Sequence, residues 1–222
     1  MGIKKINIGK NLLAENDKIA EENFLLLKEK RILSFNLMGS PGAGKTKILE
    51  RTIPYIKKKF GCGVIEGDIA GTFDSKRLEK FKIPIVQINT GGVCHLDAFM
   101  IKKGIEKLPL DEIKILFVEN VGNLVCPAEF KIGIEKNIVV SSITEGEDKS
   151  VKYPLIFKIS DVCLINKTDL LKFLKTDIKK IERNILTINK NLKIIKISAE
   201  TGENVSAWIN YIFSEYRKYN LG

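Results

Sequence analysis

The chain has 222 residues, enough for one sizeable core, and its 44% hydrophobic content is that of an ordinary globular protein. No apolar run approaches the roughly 18 residues of a membrane span, and the lysines of residues 1–10 have no apolar stretch behind them, so a soluble, cytoplasmic protein without a secretory leader is expected. The net charge of +10 is spread along the chain with no nucleic-acid-binding motif, which favours a solvated lysine-rich surface and no nucleic-acid or membrane partner.

Residues 11–31 read as an amphipathic helix, with Leu12, Leu13, Ile19, Ala20, Phe24, Leu26 and Leu27 near one face, packed on its own domain or on a partner. Residues 1–30 are therefore separated from a nucleotide-binding domain of residues 31–222. Within that domain apolar strands are expected at 32–38, 63–66, 84–88, 113–118, 137–143, 161–165 and 192–197. Helices are expected at 45–59, with Pro54 as a possible break, and at 75–81, 95–107 and 204–216. The alternation implies an α/β fold of the P-loop NTPase kind, a mostly parallel sheet with helices on both faces. Ligands of such sheets sit at the carboxyl ends of the strands, where each motif below falls.

The first strand runs into Gly39-Ser40-Pro41-Gly42-Ala43-Gly44-Lys45-Thr46, a P-loop. Its glycines let backbone N–H groups wrap phosphate oxygens, Lys45 brings positive charge to the outer phosphates with Lys47 beside it, and the Thr46 hydroxyl suits Mg²⁺. The helix that follows points its positive end at the same place. Asn166-Lys167-Thr168-Asp169 follows a later strand. A carboxylate there accepts two hydrogen bonds from guanine, a donor pair that adenine lacks, so GTP is the expected nucleotide. Ser198-Ala199 after the last strand resembles a further base-contacting loop. Asp68 and Glu119 end strands near the phosphates, where a carboxylate holds Mg²⁺ or orients the attacking water; Lys45, Asp68 and Glu119 are the candidate catalytic residues, with the roles of the two acids left open. No arginine stands out as a transition-state finger, and Arg51 and Arg77 are open candidates.

The single histidine, His95, follows Cys94 in a Gly-rich loop, and Cys126 lies in a second loop that also leaves a strand. Thiolate and imidazole together suit Zn²⁺ or Ni²⁺. Three ligands leave either an open site or one completed across a two-fold axis. Glu119 and Cys126 are seven positions apart, so a loop that follows the γ-phosphate would also move a metal ligand. Asp97 either orients His95 or favours the start of the next helix. Cys62 and Cys163 read as small buried residues.

Several segments together resemble one family: the P-loop, Glu66-Gly-Asp-Ile-Ala70, Asn89-Thr-Gly-Gly-Val-Cys-His-Leu-Asp-Ala98, Glu119-Asn-Val-Gly-Asn-Leu-Val-Cys-Pro-Ala128, Thr144-Glu-Gly146 with Asp148-Lys149, and Asn166-Lys-Thr-Asp169. They are similar to those of the hydrogenase nickel-incorporation GTPases, the HypB family, over nearly the whole chain. The resemblance implies a GTP-hydrolysing metallochaperone in nickel–iron hydrogenase maturation and a homodimer promoted by GTP. It implies nickel or zinc at the dimer interface on Cys94, His95 and Cys126. The partners it implies are a second nickel chaperone and the hydrogenase large-subunit precursor. Residues 1–10 hold no cysteine and the chain holds one histidine, so the Cys-rich and His-rich nickel segments of some relatives have no counterpart in this sequence. The urease-accessory GTPases and the P-loop kinases are the competing classes; a kinase would favour ATP.

Overall fold

The computed structural model describes residues 8–69 and 73–221, with the side chains of 8–12 and 73–75 left aside. Residues 1–7, Ala70 and the Leu12 side chain of the expected apolar face lie outside the described residues. Seven strands form one sheet: β1 (Leu33–Gly39), β2 (Cys62–Asp68), β3 (Ile85–Asn89), β4 (Ile115–Glu119), β5 (Lys136–Ser142), β6 (Val162–Asn166) and β7 (Lys193–Lys196), in the order β3-β2-β4-β1-β5-β6-β7. Every neighbouring pair is parallel. Parallel strands need crossovers, and here helices make them: α2 (Lys45–Ile56), α3 (Phe73–Glu79), α4 (Ala98–Ile105), α5 (Cys126–Glu129), α6 (Lys149–Lys152), α7 (Pro154–Lys158) and α8 (Ile178–Ile188), while α1 (Ile8–Glu29) precedes β1 and α9 (Val205–Leu221) follows β7. Among the described residues no helix is long and apolar enough to cross a membrane.

Alternate residues of the central strand β1 feed opposite layers, as the two-residue period of a strand requires. Leu33, Phe35 and Leu37 join Ile48, Leu49 and Ile53 of α2 and Trp208, Ile209 and Ile212 of α9 on one face. Met38 packs with Phe157 of α7 and Ile181 and Ile185 of α8 on the other, while Leu27 of α1 and Ile101 and Ile105 of α4 cover Ile65, Leu116 and Val118. Phe35 stacks on Phe117 with centroids 5.7 Å apart and meets Trp208 edge-on at 5.8 Å. The Trp208 Nε1–H donates to Thr52 Oγ1 at 3.2 Å, which satisfies the one polar group that this large buried side chain carries.

Three local expectations are corrected. Pro54 does not break α2, which runs through it and ends two residues later at Ile56, short of the expected 59; the proline removes only the intrahelical donor to the Glu50 carbonyl. The fourth helix starts at Ala98 rather than at His95, because Asp97 accepts a hydrogen bond from the Met100 amide and caps it; Cys94 and His95 therefore stay in a loop. α1 packs on its own domain by part of the expected face: Ala20 and Leu27 are buried and Ile19 and Phe24 half-buried, but buried Asn23 and half-buried Asn16 join the stripe while Leu13 and Leu26 face solvent.

Trp208 fills the layer between α2, α9 and the sheet far from the strand ends. Trp208→Ala is expected to cost about 3–5 kcal/mol in chemical denaturation. Trp208→Phe, which keeps an aromatic ring and loses the hydrogen bond to Thr52, should cost nearer 1 kcal/mol.

Candidate nucleotide cleft and metal centre

The carboxyl ends of β1, β2 and β4 open into a cleft of about 480 Å³ lined by the P-loop, Glu66, Asp68, Arg77 and Glu119 through Gly122. At its floor the backbone turns through Gly42 and Gly44, both with positive φ. At Gly44 a Cβ would stand 2.3 Å from Asn166 Nδ2, so the loop closes only with glycine there. Buried Lys45 points its Nζ back at the Gly39 carbonyl, 3.4 Å away. The Thr46 hydroxyl donates to Glu119 Oε1 at 2.7 Å, which puts a hydroxyl and a carboxylate side by side at the start of α2. Asp68 lines the same cleft half-exposed, its Oδ1 held by the Ile69 amide at 2.6 Å. Lys47 ion-pairs with Glu200 at 3.1 Å.

The second group of predicted residues forms the adjoining wall. Asn166 ends β6 and bridges two loops: its Nδ2 donates to the Ala43 carbonyl at 2.9 Å and its Oδ1 accepts from the Ala199 amide at 3.0 Å. Lys167 adopts a left-handed conformation, φ 66°, and turns the chain so that Asp169 faces the last strand's loop. There Asp169 Oδ1 accepts from the Ser198 hydroxyl at 2.6 Å. Asp169 is thus oriented by Ser198 and does not cap a helix. Arg51, an open candidate for the phosphates, instead donates to the carbonyls of Ala199 and Glu200 and props that loop from behind. Arg77 lines the cleft and ion-pairs with Glu50 at 2.6 Å.

Two residues of this region escaped the sequence reading. Buried Glu66 adds a third acid to the cleft. Asn120, next to Glu119, accepts from the amides of Leu96 and Val121 at 3.1 and 3.0 Å and donates to Asn36. It ties the cleft to the residue after His95. Both lie in segments that carry the family resemblance, Glu66–Ala70 and Glu119–Ala128, but no role was read from either residue.

Cys94, His95 and Cys126 come together although β2 separates the strands that precede their loops. Their ligand atoms all lie within 4.8 Å of one another, with the two sulfurs 2.8 Å apart and Cys94 Sγ 4.0 Å from His95 Nδ1. The His95 ring stacks on Phe130 with centroids 4.0 Å apart. Burial holds the imidazole below its ordinary pKa against the opposing charges of Asp97 and Glu129, so at neutral pH the ring is uncharged and its nitrogen lone pair is free to bind. Asp97 itself serves the cap of α4. The hydrogen bond from Cys94, and then burial, raise the Cys126 thiol. Two thiols and a neutral imidazole at this spacing are a donor set for a soft or borderline divalent ion.

A parallel sheet ending in a P-loop, a carboxylate on the P-loop threonine and an Asn-Lys-Thr-Asp turn beside them define a P-loop nucleotide-binding protein with an adjoining Cys/His centre. The description CobW/HypB/UreG, nucleotide-binding domain, matches residues 33–196. The probable hydrogenase maturation factor HypB of Methanocaldococcus jannaschii is 41% identical, over 93% of this chain and 94% of that one. The hydrogenase maturation factor HypB of Escherichia coli K12 is 43% identical over 91% of this chain and 70% of its own length. Among solved structures, HypB from Archaeoglobus fulgidus aligns with a TM-score of 0.86 and 37% identity, over 92% of this chain and all of that one. HypB from Helicobacter pylori, in complex with nickel, aligns at 0.87 and 32% identity, over 92% and 96%. At these identities, and over nearly the full length of several of these relatives, the chain belongs to the HypB family of hydrogenase maturation factors.

Cys62 and Cys163 are buried in the sheet, where burial raises both thiols, that of Cys62 to about 11. Native protein treated with iodoacetamide at pH 8 should therefore label at Cys94 and Cys126 alone, and at all four cysteines in denaturant. Peptide mapping reads the result; native labelling of Cys163 would contradict the packing.

Proposed function

We propose that this chain is a GTP-hydrolysing metallochaperone that carries nickel, or zinc, and assists nickel insertion into nickel–iron hydrogenase. The observation that carries the reading is the joining of two sites by one short segment. Glu119 bonds the P-loop threonine, and seven residues later Cys126 stands 2.8 Å from Cys94. A site for phosphates and a site for a soft metal thus share one piece of backbone.

In this reading the backbone N–H groups of the loop from Gly39 to Gly44, Pro41 excepted, and Lys45 cradle the outer phosphates, with Ala43 inside the turn and Lys47 at its rim. Thr46, with Glu119 or Asp68, holds magnesium, which when bound neutralises charge on the outer phosphates. The carboxylate not so engaged orients the attacking water. Asp169, aligned by Ser198, accepts the two guanine donors, and Asn166, Lys167 and Ala199 shape the base pocket. Cys94, His95 and Cys126 hold the metal as cargo, and a GTP-promoted homodimer supplies the remaining coordination from its second copy. The protein works in the cytoplasm, receives or passes metal with a second nickel chaperone, and serves the hydrogenase large-subunit precursor. Residues 1–30 form an appended helix, and residues 31–222 the GTPase domain.

Steady-state hydrolysis with GTP and ATP, combined with equilibrium nickel binding, tests the reading. GTP should turn over in preference to ATP without an added acceptor, and Lys45→Ala should abolish turnover. Asp169→Ala should weaken GTP binding about 10- to 100-fold, the worth of about 1.5–3 kcal/mol for hydrogen bonds to a charged group. Cys94→Ala with Cys126→Ala should lose nickel while keeping GTP. A preference for ATP, or nickel binding that survives the double variant, would overturn it.

A further inference from the structure

The stripe that α1 buries is unusual for an amphipathic helix in that two of its members are asparagines, Asn16 and Asn23, spaced so that both fall on one face. Each bonds the backbone of both segments that lead away from the metal loops. Asn16 Oδ1 accepts from the Ala98 amide at 2.9 Å while its Nδ2 donates to the Lys131 carbonyl at 2.8 Å. Asn23 Nδ2 donates to the Ala98 carbonyl at 2.8 Å and to the Ile132 carbonyl at 3.2 Å. Ala98 opens the helix that follows Cys94 and His95; Lys131 and Ile132 follow Cys126 and adjoin Phe130, the ring on which His95 stacks.

We propose that Asn16 and Asn23 are positioning residues of the metal centre, a pair of amide clamps that fix the separation of the loop carrying Cys94 and His95 from the loop carrying Cys126. The inference rests on the reading of those three residues as the metal site. An amide spans a few ångströms and bonds at both ends in fixed directions, so two of them on one rigid helix hold two backbones in one register. Hydrophobic contacts alone would permit sliding. A third feature presses the same parts together: Gly133, at φ +80°, lies so near α1 that a Cβ there would stand 2.2 Å from the Ala20 carbonyl oxygen. The clamp holds Phe130 under the imidazole as well as the two sulfurs within reach of each other. Removing the clamp lets the second loop relax away and leaves the donor set splayed.

A purely structural role is separable. Asn16→Asp keeps the acceptor for the Ala98 amide, and so the start of α4, but loses the donor to Lys131. Glu22→Ala removes an ion pair of α1 to Lys102 on α4 alone, at 2.9 Å, and leaves the loop after Cys126 untouched. The experiment titrates Ni²⁺ against a competing chelator in the full chain and follows the thiolate-to-nickel charge-transfer absorption, with GTP affinity measured alongside. Wild-type protein and Glu22→Ala should bind alike. Asn16→Ala, Asn16→Asp and Asn23→Ala should bind about tenfold more weakly or worse, with a changed charge-transfer spectrum and unchanged GTP affinity. If burial of Asn23 makes its variant unfold, half-buried Asn16 and Gly133→Ala carry the test. Nickel affinity and spectrum equal to wild type in the Asn16 variants would overturn the clamp while leaving the metal reading intact. A wild-type chain that takes up no nickel would remove that reading, and the clamp with it.

Discussion

The arrangement depends on one strap, the segment from Glu119 to Cys126, and on its being fastened to the P-loop. Glu119 accepts the Thr46 hydroxyl, Gly122 lies so close to Pro41 that a Cβ would meet its ring at 2.9 Å, and Asn123 forms an antiparallel bridge with Gly39. Three points of attachment over five residues leave the strap little freedom to move apart from the phosphate loop. Beyond the last of them the chain enters α5 at Cys126. A change that repositions the Thr46–Glu119 pair would reach Cys126, the proposed metal ligand, through a short, packed path, the kind of contiguous network that can carry coupling between sites.

The parallel sheet makes this possible. All seven strands point the same way, so every loop that leaves a strand's carboxyl end emerges on one edge. The P-loop leaves β1, the strap leaves β4 and the Cys94–His95 loop leaves β3, with β2 supplying Asp68 between them. Asn120 fastens the last of these loops to the strap through the Leu96 amide. On the sheet's far face, α1 holds the segments that leave both metal loops. The Cys94–His95–Cys126 cluster is thus approached from two sides, by the cleft through the strap and by a helix through its amides.

The parts legible in the sequence are those in which backbone geometry dictates residue type. Gly44 must be glycine because of its φ and the Asn166 side chain above it, and Lys45 and Thr46 follow at fixed spacing, so the P-loop declares itself. Cys94, His95 and Cys126 stood out as thiols and an imidazole in glycine-containing loops after strands. The seven strands were readable from apolar runs, but their order was not, since nothing local in β4 says that it lies between β2 and β1. The docking face of α1 was read only in part, Ala20 and Leu27 rightly and Leu13 and Leu26 not, for a related reason. Leucines at helical spacing look like the buried side, whereas here the side that docks is shared between Ala20 and Leu27 and two asparagines that satisfy carbonyls and an amide of distant segments. Glu66 and Asn120 were hidden because their work depends on what the fold brings beside them.

The central claim is that nucleotide and metal share free energy through the strap, and thermodynamic reciprocity gives it a direct test. Nickel affinity is measured with a non-hydrolysable GTP analogue, with GDP and without nucleotide, and the analogue's affinity with and without nickel. The account predicts that nickel affinity differs between the analogue and GDP by about fivefold or more, and that nickel changes the analogue's affinity by the same factor as the analogue changes that of nickel. Equal nickel affinity in all three nucleotide states would contradict it and leave the two sites as neighbours without a connection.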